Sequence, residues 1–352
     1  MPDLTVRENL SSHLIKFDGG YLKTIDKGFE EIVLAHLVGN YFHNKSFPLF
    51  LSIQGKMGEG KTFQTINVCK NNNINTYYYS GSELSGAYEK DSISKFSEEY
   101  ELASNKFEMS KQISAFIIDD FHLSIASIKQ STGVTVNSQI LIGYLMNLAD
   151  STKANSFSVP IILLANNFEN LYSPLTRDGR MDFYSWNPSV EQKIAVISQL
   201  FYEFINNDKS VNKSLLSEAN MAGFKSAIKK WVEDYKEQPI SFFTEVKNDI
   251  LKIKLKQLVK NYIGSSEVPR DYKKLQVLVT EGFEKGRDIN YTGIEVGNIE
   301  VASTLSTFKE KRRNARDKKT KVNNTDNFNG FFELLEDMSK QRVQKSRPEG
   351  FD

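Results

Sequence analysis

An α/β fold, with a parallel sheet covered by helices on both faces, is predicted by three features of this 352-residue sequence. Apolar runs of strand length recur through its first half, separated by helix-sized segments. The first of these runs leads directly into a glycine-rich turn with the spacing G-x-x-x-x-G-K-[ST]. After Pro188 the texture changes to long polar–apolar helical patterns.

The strand candidates are "PLFLSIQG" (48–55), "TYYYSG" (76–81), "ISAFIIDDF" (113–121), "VPIILLANN" (159–167) and "MDFYSW" (181–186). Short runs rich in β-branched and aromatic residues, without polar alternation, fit strands buried on both faces, as in parallel sheets. "GEGKTFQTINVCKN" and "NSQILIGYLMNLADS" read as two intervening helices. The domain reading is an amino-terminal tail (1–20), an α/β domain (21–187), a helical domain (188–308) and a carboxyl-terminal segment (309–352). That last segment opens with "KEKRRNARDKKTK" (309–321), eight basic and two acidic residues, which reads as a solvated linker or helix extension. "NFNGFFELLEDM" (327–338) follows, with Phe328, Phe331, Phe332 and Leu335 at helical spacing. Two readings stand open for it: packing on its own domain, or docking on a partner.

With 45 basic and 44 acidic residues the net charge is +1, so no global field selects nucleic acid or a membrane. No apolar run approaches the roughly 18 residues of a membrane span. The start "MPDLTVRENLSSHLIKF" lacks the pattern of a secretory signal, and a cytoplasmic location is expected. The lone Cys69 reads as a buried thiol, and no Cys/His cluster has zinc spacing. The four histidines, His13, His36, His43 and His122, are scattered.

The chemistry concentrates in four places. Gly55, Gly58 and Gly60 give the room for backbone N–H groups to converge on phosphates, at the positive end of a helix that begins near Lys61. Lys61 would reach the terminal phosphates of ATP, and Thr62 would hold Mg²⁺ through its hydroxyl. Asp119 and Asp120 end an apolar strand, where Asp119 suits the Mg²⁺ shell and Asp120 the attacking water, or both are ordinary acids at a strand-end turn. Asn166 and Asn167 close the next strand, where an amide can orient water or simply make a turn. Arg177 and Arg180 flank a glycine in "PLTRDGRM"; they suit either a solvated turn or an arginine finger reaching a neighbouring subunit.

These four elements in this order resemble the rubisco activase branch of the AAA+ ATPases. "SGSELSG", "TVNSQILIGYLMNLAD", "VPIILLANNFENLYSPLTRDGRM" and "QPISFFTEVKNDI" look like successive landmarks of that core, over about residues 20 to 260. The resemblance implies a five-stranded AAA+ sheet flanked by helices, a helical lid, and a self-assembled, hexameric ring that hydrolyses ATP with Mg²⁺ to remodel a protein client. In the family that client is rubisco carrying inhibitory sugar phosphates. Carried over, the nucleotide is held by Gly55, Lys56, Met57, Gly58, Glu59, Gly60, Lys61, Thr62 and Phe63. Asp119 and Asp120 match the Walker B pair, Asn166 the sensor, and Arg177 and Arg180 the trans-acting arginines. Lys247 falls where the family usually has a lid arginine, and it lacks the bidentate fork of that residue. Loops 85–91 and 124–134 fall where the family faces its pore; Tyr88, the bulky aromatic of the first, suits either gripping a client chain or packing locally in a surface loop. Two other readings stand beside this one: the same motor with a client other than rubisco, in a regulatory, defence or mobile-element setting, and a nucleotide-gated scaffold that contacts nucleic acid through 309–321.

Overall fold

The computed structural model describes residues 13–15, 25–42, 47–84, 89–124, 136–150, 157–168, 174–177, 179–207, 218–260 and 325–345. The chain forms two compact units, Met1–Gln192 and Lys193–Asp352.

The first unit holds α1 (Lys27–Phe42), β1 (Phe50–Gln54), α2 (Lys61–Asn71), β2 (Asn75–Ser80), α3 (Gly81–Leu84), α4 (Glu89–Ser110), β3 (Ser114–Asp119), α5 (Phe121–Ser124), α6 (Val136–Ala149), β4 (Ile161–Ala165) and β5 (Met181–Ser185). The five strands form one parallel sheet in the order β2-β3-β4-β1-β5. This is the predicted α/β architecture, and each strand falls on its predicted run, with β2 beginning one residue earlier, at Asn75. Residues alternate between the two faces, as the period of two demands. Phe50, Phe116, Ile118, Ile161 and Leu163 join one core with Tyr77, Tyr79 and Phe96. Leu51, Ile53, Ala115, Ile117, Ile162 and Leu164 join the other, with Phe29, Val33, Val68, Cys69 and Trp186. Burial on both faces explains why β3 and β4 read as unbroken apolar runs.

The outer edge of β2 is not bare. Ile15 N–H donates to Thr76 O (2.9 Å) and Tyr78 N–H to His13 O (2.9 Å), so a short amino-terminal segment pairs antiparallel with it. The His13 ring stacks on Tyr79 at 4.0 Å and meets Glu83 and Glu99. Because all strands run in parallel, Gln54, Ser80, Asp119, Ala165 and Ser185 end along one rim. β1 lies between the later strands β4 and β5, which makes the rim beyond it the crevice where ligands bind in open α/β sheets.

The second unit is helical in its described residues, with α7 (Val190–Asn207), α8 (Glu218–Asp234), α9 (Ile240–Lys260) and α10 (Thr325–Lys345). The unit division falls within the first turn of α7. Ser189 opens that helix with a reciprocal cap: Ser189 N–H donates to Gln192 Oε1 (2.8 Å), and Gln192 N–H to Ser189 Oγ (3.3 Å). Ile197, Phe201 and Ile205 of α7, Phe224, Ile228 and Trp231 of α8, and Phe243, Val246 and Ile250 of α9 recur at helical spacing and fill one core. The Phe-rich helix α10 belongs to the same core through Phe331, Leu334, Leu335 and Met338. Trp231 Nε1–H donates to Ser339 Oγ (2.9 Å), and Arg342 spans Asp249 (2.7 Å) and Glu245 (3.0 Å). Of the two sequence readings of this segment, packing on its own unit is therefore the one observed. No helix among the described residues is long and apolar enough to cross a membrane.

Two outcomes follow from this packing. Leu335→Ala removes a fully buried side chain from the helical core and is expected to cost about 2–5 kcal/mol by urea unfolding. Lys340→Ala, at an exposed ion pair with Glu336, should stay within about 0.5 kcal/mol. In the first unit, His36 on α1 is buried, and among the described residues neither ring nitrogen meets a partner at good hydrogen-bond geometry. Burial holds its pKa down to about 4, with the Leu49 backbone pulling weakly the other way. Above the ordinary value of 6.5 the imidazole is neutral in both folded and unfolded chains. As pH falls from there towards 4, the unfolded chain takes up a proton that the fold refuses, so stability is lost over that window, by up to about 3 kcal/mol. His36→Leu should flatten the fall in melting temperature over that window; an unchanged slope would remove His36 from the acid response.

Candidate active site

The phosphate-loop residues stand at the end of β1, in the crevice beyond it. Gly58 (φ 78°) and Gly60 (φ 83°) both sit in the left-handed region, and Gly60 is the amino-terminal cap of α2. A side chain would strain that turn, whereas glycine lets it close and present the first N–H groups of α2. Gly55 is constrained by a neighbour instead. A Cβ there would lie 2.2 Å from Trp186 O. Trp186 pins the loop further: its N–H donates to Gln54 O (2.7 Å) and its Nε1–H to Glu59 O (2.7 Å). Lys56, Met57 and Phe63 are exposed around the loop, and Glu59 is buried beneath it.

Lys61 is buried, and its ammonium donates to Gly55 O (2.7 Å), Lys56 O (3.0 Å) and Asn166 Oδ1 (3.2 Å). Burial lowers its pKa, opposed by the charges of Asp119, Asp120 and Glu59. Thr62 Oγ1 donates to Asp119 Oδ2 (2.8 Å). Three strands thus bring Lys61, Thr62, Asp119 and Asn166 together. Asp120 is exposed beside Asp119 with φ 50°, a conformation that costs L residues roughly 1–2 kcal/mol. Its N–H donates to Asp119 Oδ1 (2.9 Å). Asp120 is thus a strained acid at a strand end, beside a hydroxyl–carboxylate pair.

The two arginines occupy different settings. Arg180 forks onto the Asp150 carboxylate, with Nε at 2.6 Å from Oδ1, and Nη1 donates to Pro174 O. Arg177 is exposed, and its carbonyl accepts from Arg180 N–H (3.1 Å). Lys247 lies on α9 of the helical unit, half-buried, its pKa lowered by burial and opposed by the charge of Glu203. The first pore-loop candidate falls largely on 85–88, including Tyr88, and the second on 125–134; both these stretches, and the basic run 309–321, lie outside the described residues. His122 beside the acids is half-buried, with no partner for Nδ1 among the described residues. Cys69 is fully buried, and burial pushes its thiol up to about 12, which makes it inert. Sequence reasoning missed Trp186, Asp150 and Tyr78, whose hydroxyl reaches Asp119 Oδ2 at 2.9 Å. Trp186 closes a run read only as a strand, and nothing in its spacing announces a bond to the loop.

The phosphate loop, the left-handed glycines and the Thr62–Asp119 oxygen pair fit a nucleoside triphosphate with Mg²⁺, an ion that takes carboxylate, hydroxyl and phosphate oxygens. Residues 51–189 match the family model described as ATPase family associated with various cellular activities (AAA). Among curated proteins the chain is similar to a ribulose bisphosphate carboxylase/oxygenase activase of Nostoc sp., 26% identical over 73% of this chain and 63% of that protein. It is similar to activase A of Hordeum vulgare (27%, over 86% of this chain and 66% of that protein) and to the Arabidopsis thaliana activase (26%, over 82% and 60%). The matched stretch thus spans less than two thirds of these relatives' own length.

Gly55→Ala should destabilise the first unit, since the Trp186 carbonyl must move. Gly143→Ala, inside α6 with no described residue within 4 Å of a new Cβ, should gain about 0.5–1 kcal/mol. Melting temperatures moving in opposite directions would bear this out. A Gly55→Ala protein as stable as the native chain would contradict it.

Proposed function

We propose that this rubisco activase-like AAA+ chain binds ATP with Mg²⁺, assembles into a ring of six copies in the manner of its branch, and uses hydrolysis to remodel a protein client, with rubisco as the first candidate. The observation that carries this reading is the meeting of Lys61, Thr62, Asp119 and Asn166 at one strand rim. The bound nucleotide and ion would supply the phosphoanhydride to be cleaved and positive charge beside it.

The chain's own residues have separable roles in this proposal. Backbone N–H groups from Gly55 to Thr62, at the amino end of α2, hold phosphate oxygens. Lys61 exchanges its contacts with Gly55 O and Lys56 O for phosphate. Thr62 and Asp119 hold the ion, and exposed Asp120 orients the attacking water. Asn166, already bonded to Lys61, relays the state of the site to β4 and the turn beyond it. Arg177, exposed, reaches the site of a neighbouring copy, whereas Arg180 shapes its own turn through Asp150.

A mixed-ring assay tests the assembly. Arg177→Ala alone should lower turnover by about 10³-fold, as loss of an arginine finger does. Mixing it with Lys61→Ala subunits should restore part of the rate, because some interfaces then join an intact loop to an intact arginine. No recovery in a verified mixed ring would overturn action in trans. Asp150→Ala should reproduce Arg180→Ala, and neither should be rescued by mixing.

The second reading keeps the motor and changes the client; identities of 26–27% leave room for a different client surface. Asp120→Asn, held in ATP, separates the two by co-isolation. Rubisco subunits retained on it favour the first reading, and purified rubisco that fails to bind favours the second. The near-zero net charge supports a protein client over the nucleic-acid scaffold.

A further inference from the structure

Tyr78, outside every motif residue, reaches the carboxylate assigned to the ion. The parallel register pairs Tyr78 with Ile117 and Ser80 with Asp119. Alternation puts Tyr78, Ile117 and Asp119 on one face of the sheet, while Tyr77 and Tyr79 join the opposite core. The Tyr78 ring packs partly buried against the α2-side core, so packing fixes where its hydroxyl can be. That hydroxyl donates to Asp119 Oδ2 at 2.9 Å, the same oxygen that accepts from Thr62 Oγ1 at 2.8 Å. Asp119 Oδ1 accepts from the Asp120 N–H at 2.9 Å.

Three donors therefore surround one carboxylate from three elements: β2, α2 and the β3–α5 turn. A carboxylate oxygen has two lone-pair directions. Tyr78 occupies one on Oδ2, and the other faces Thr62. When the Thr62 hydroxyl turns to the ion, its bond to Asp119 is given up. The bonds from Tyr78 and Asp120 remain, and without them the carboxylate could rotate about its Cβ–Cγ bond. We infer that Tyr78 is a positioning residue for the Mg²⁺ site: its hydroxyl holds the Asp119 carboxylate with one Oδ2 lone pair directed at the space beside Thr62. This rests on the reading of Thr62 and Asp119 as the ion-holding pair. The role is that of the hydrogen-bonding partners behind metal ligands in general, which orient a ligand without touching the ion.

Tyr78→Phe in the full chain keeps the ring and its packing and removes only the donor. ADP affinity is measured by calorimetry in EDTA and then across a Mg²⁺ titration, alongside the Mg²⁺ dependence of ATP turnover. ADP affinity in EDTA should match the native chain. The Mg²⁺ concentration giving half of the ion-dependent change should rise about tenfold, the lower end of what losing a partner behind a metal ligand costs. Turnover at saturating Mg²⁺ should change far less than its half-saturation point. In an Asp119→Asn background the Tyr78→Phe effect should vanish. Superimposed Mg²⁺ curves overturn the inference, and so does tighter Mg²⁺ binding, which would make the hydroxyl a competitor of the ion. An equal loss of affinity with and without Mg²⁺ also overturns it, since that is the mark of a packing role. If the native chain itself binds nucleotide with no Mg²⁺ dependence, the ion-site reading falls and Tyr78 with it. A Mg²⁺-dependent native chain with an unaltered variant removes Tyr78 alone.

Discussion

The contact between Trp186 and the loop after β1 is the constraint on which the candidate site depends. The carbonyl of Trp186 sits where a Gly55 side chain would be, its backbone N–H extends the β1–β5 pairing at Gln54, and its indole N–H holds Glu59 O. The ring is anchored in turn against Phe29 of α1, at 5.1 Å and nearly perpendicular. A loop rich in glycine has high conformational entropy, and a phosphate cradle is useful only if that freedom is removed before the ligand arrives. Here one buried aromatic residue does so from the neighbouring strand, through two hydrogen bonds and a steric stop.

With the loop held, the electrostatics of the rim can be built in a partly dry setting. Lys61 is buried, which disfavours its charge, yet three acidic groups and three oxygen acceptors oppose that. A cation kept under these conditions gains much from an anion brought to it, because the low local dielectric strengthens the attraction. Asp119 is arranged in the complementary way, as an acceptor with three donors already aimed at it. Asp120, beside it, remains exposed and backbone-strained.

Much of this was legible in the sequence, for identifiable reasons. The strands were visible because burial on both faces makes β3 and β4 continuous apolar runs, and the glycine spacing marked the turn after β1. Tyr78 was hidden because its role depends on register: three consecutive tyrosines alternate faces, and only the pairing of Ser80 with Asp119 reveals which one faces the carboxylate. Arg177 and Arg180 look alike in sequence, and they part only when Asp150, thirty residues before Arg180, claims one of them. Helix α10 displayed its apolar stripe plainly. Its place in the helical core was not readable, because the same stripe could have served a partner.

Phosphate release by the purified full chain, measured across protein concentration alongside Lys61→Ala, decides whether this site hydrolyses ATP in an assembly. Release should depend on Mg²⁺, with a rate per subunit that rises with concentration as neighbouring copies complete each site, and Lys61→Ala should give none. Absence of release from the native chain, or equal release from the variant, would contradict hydrolysis at this site.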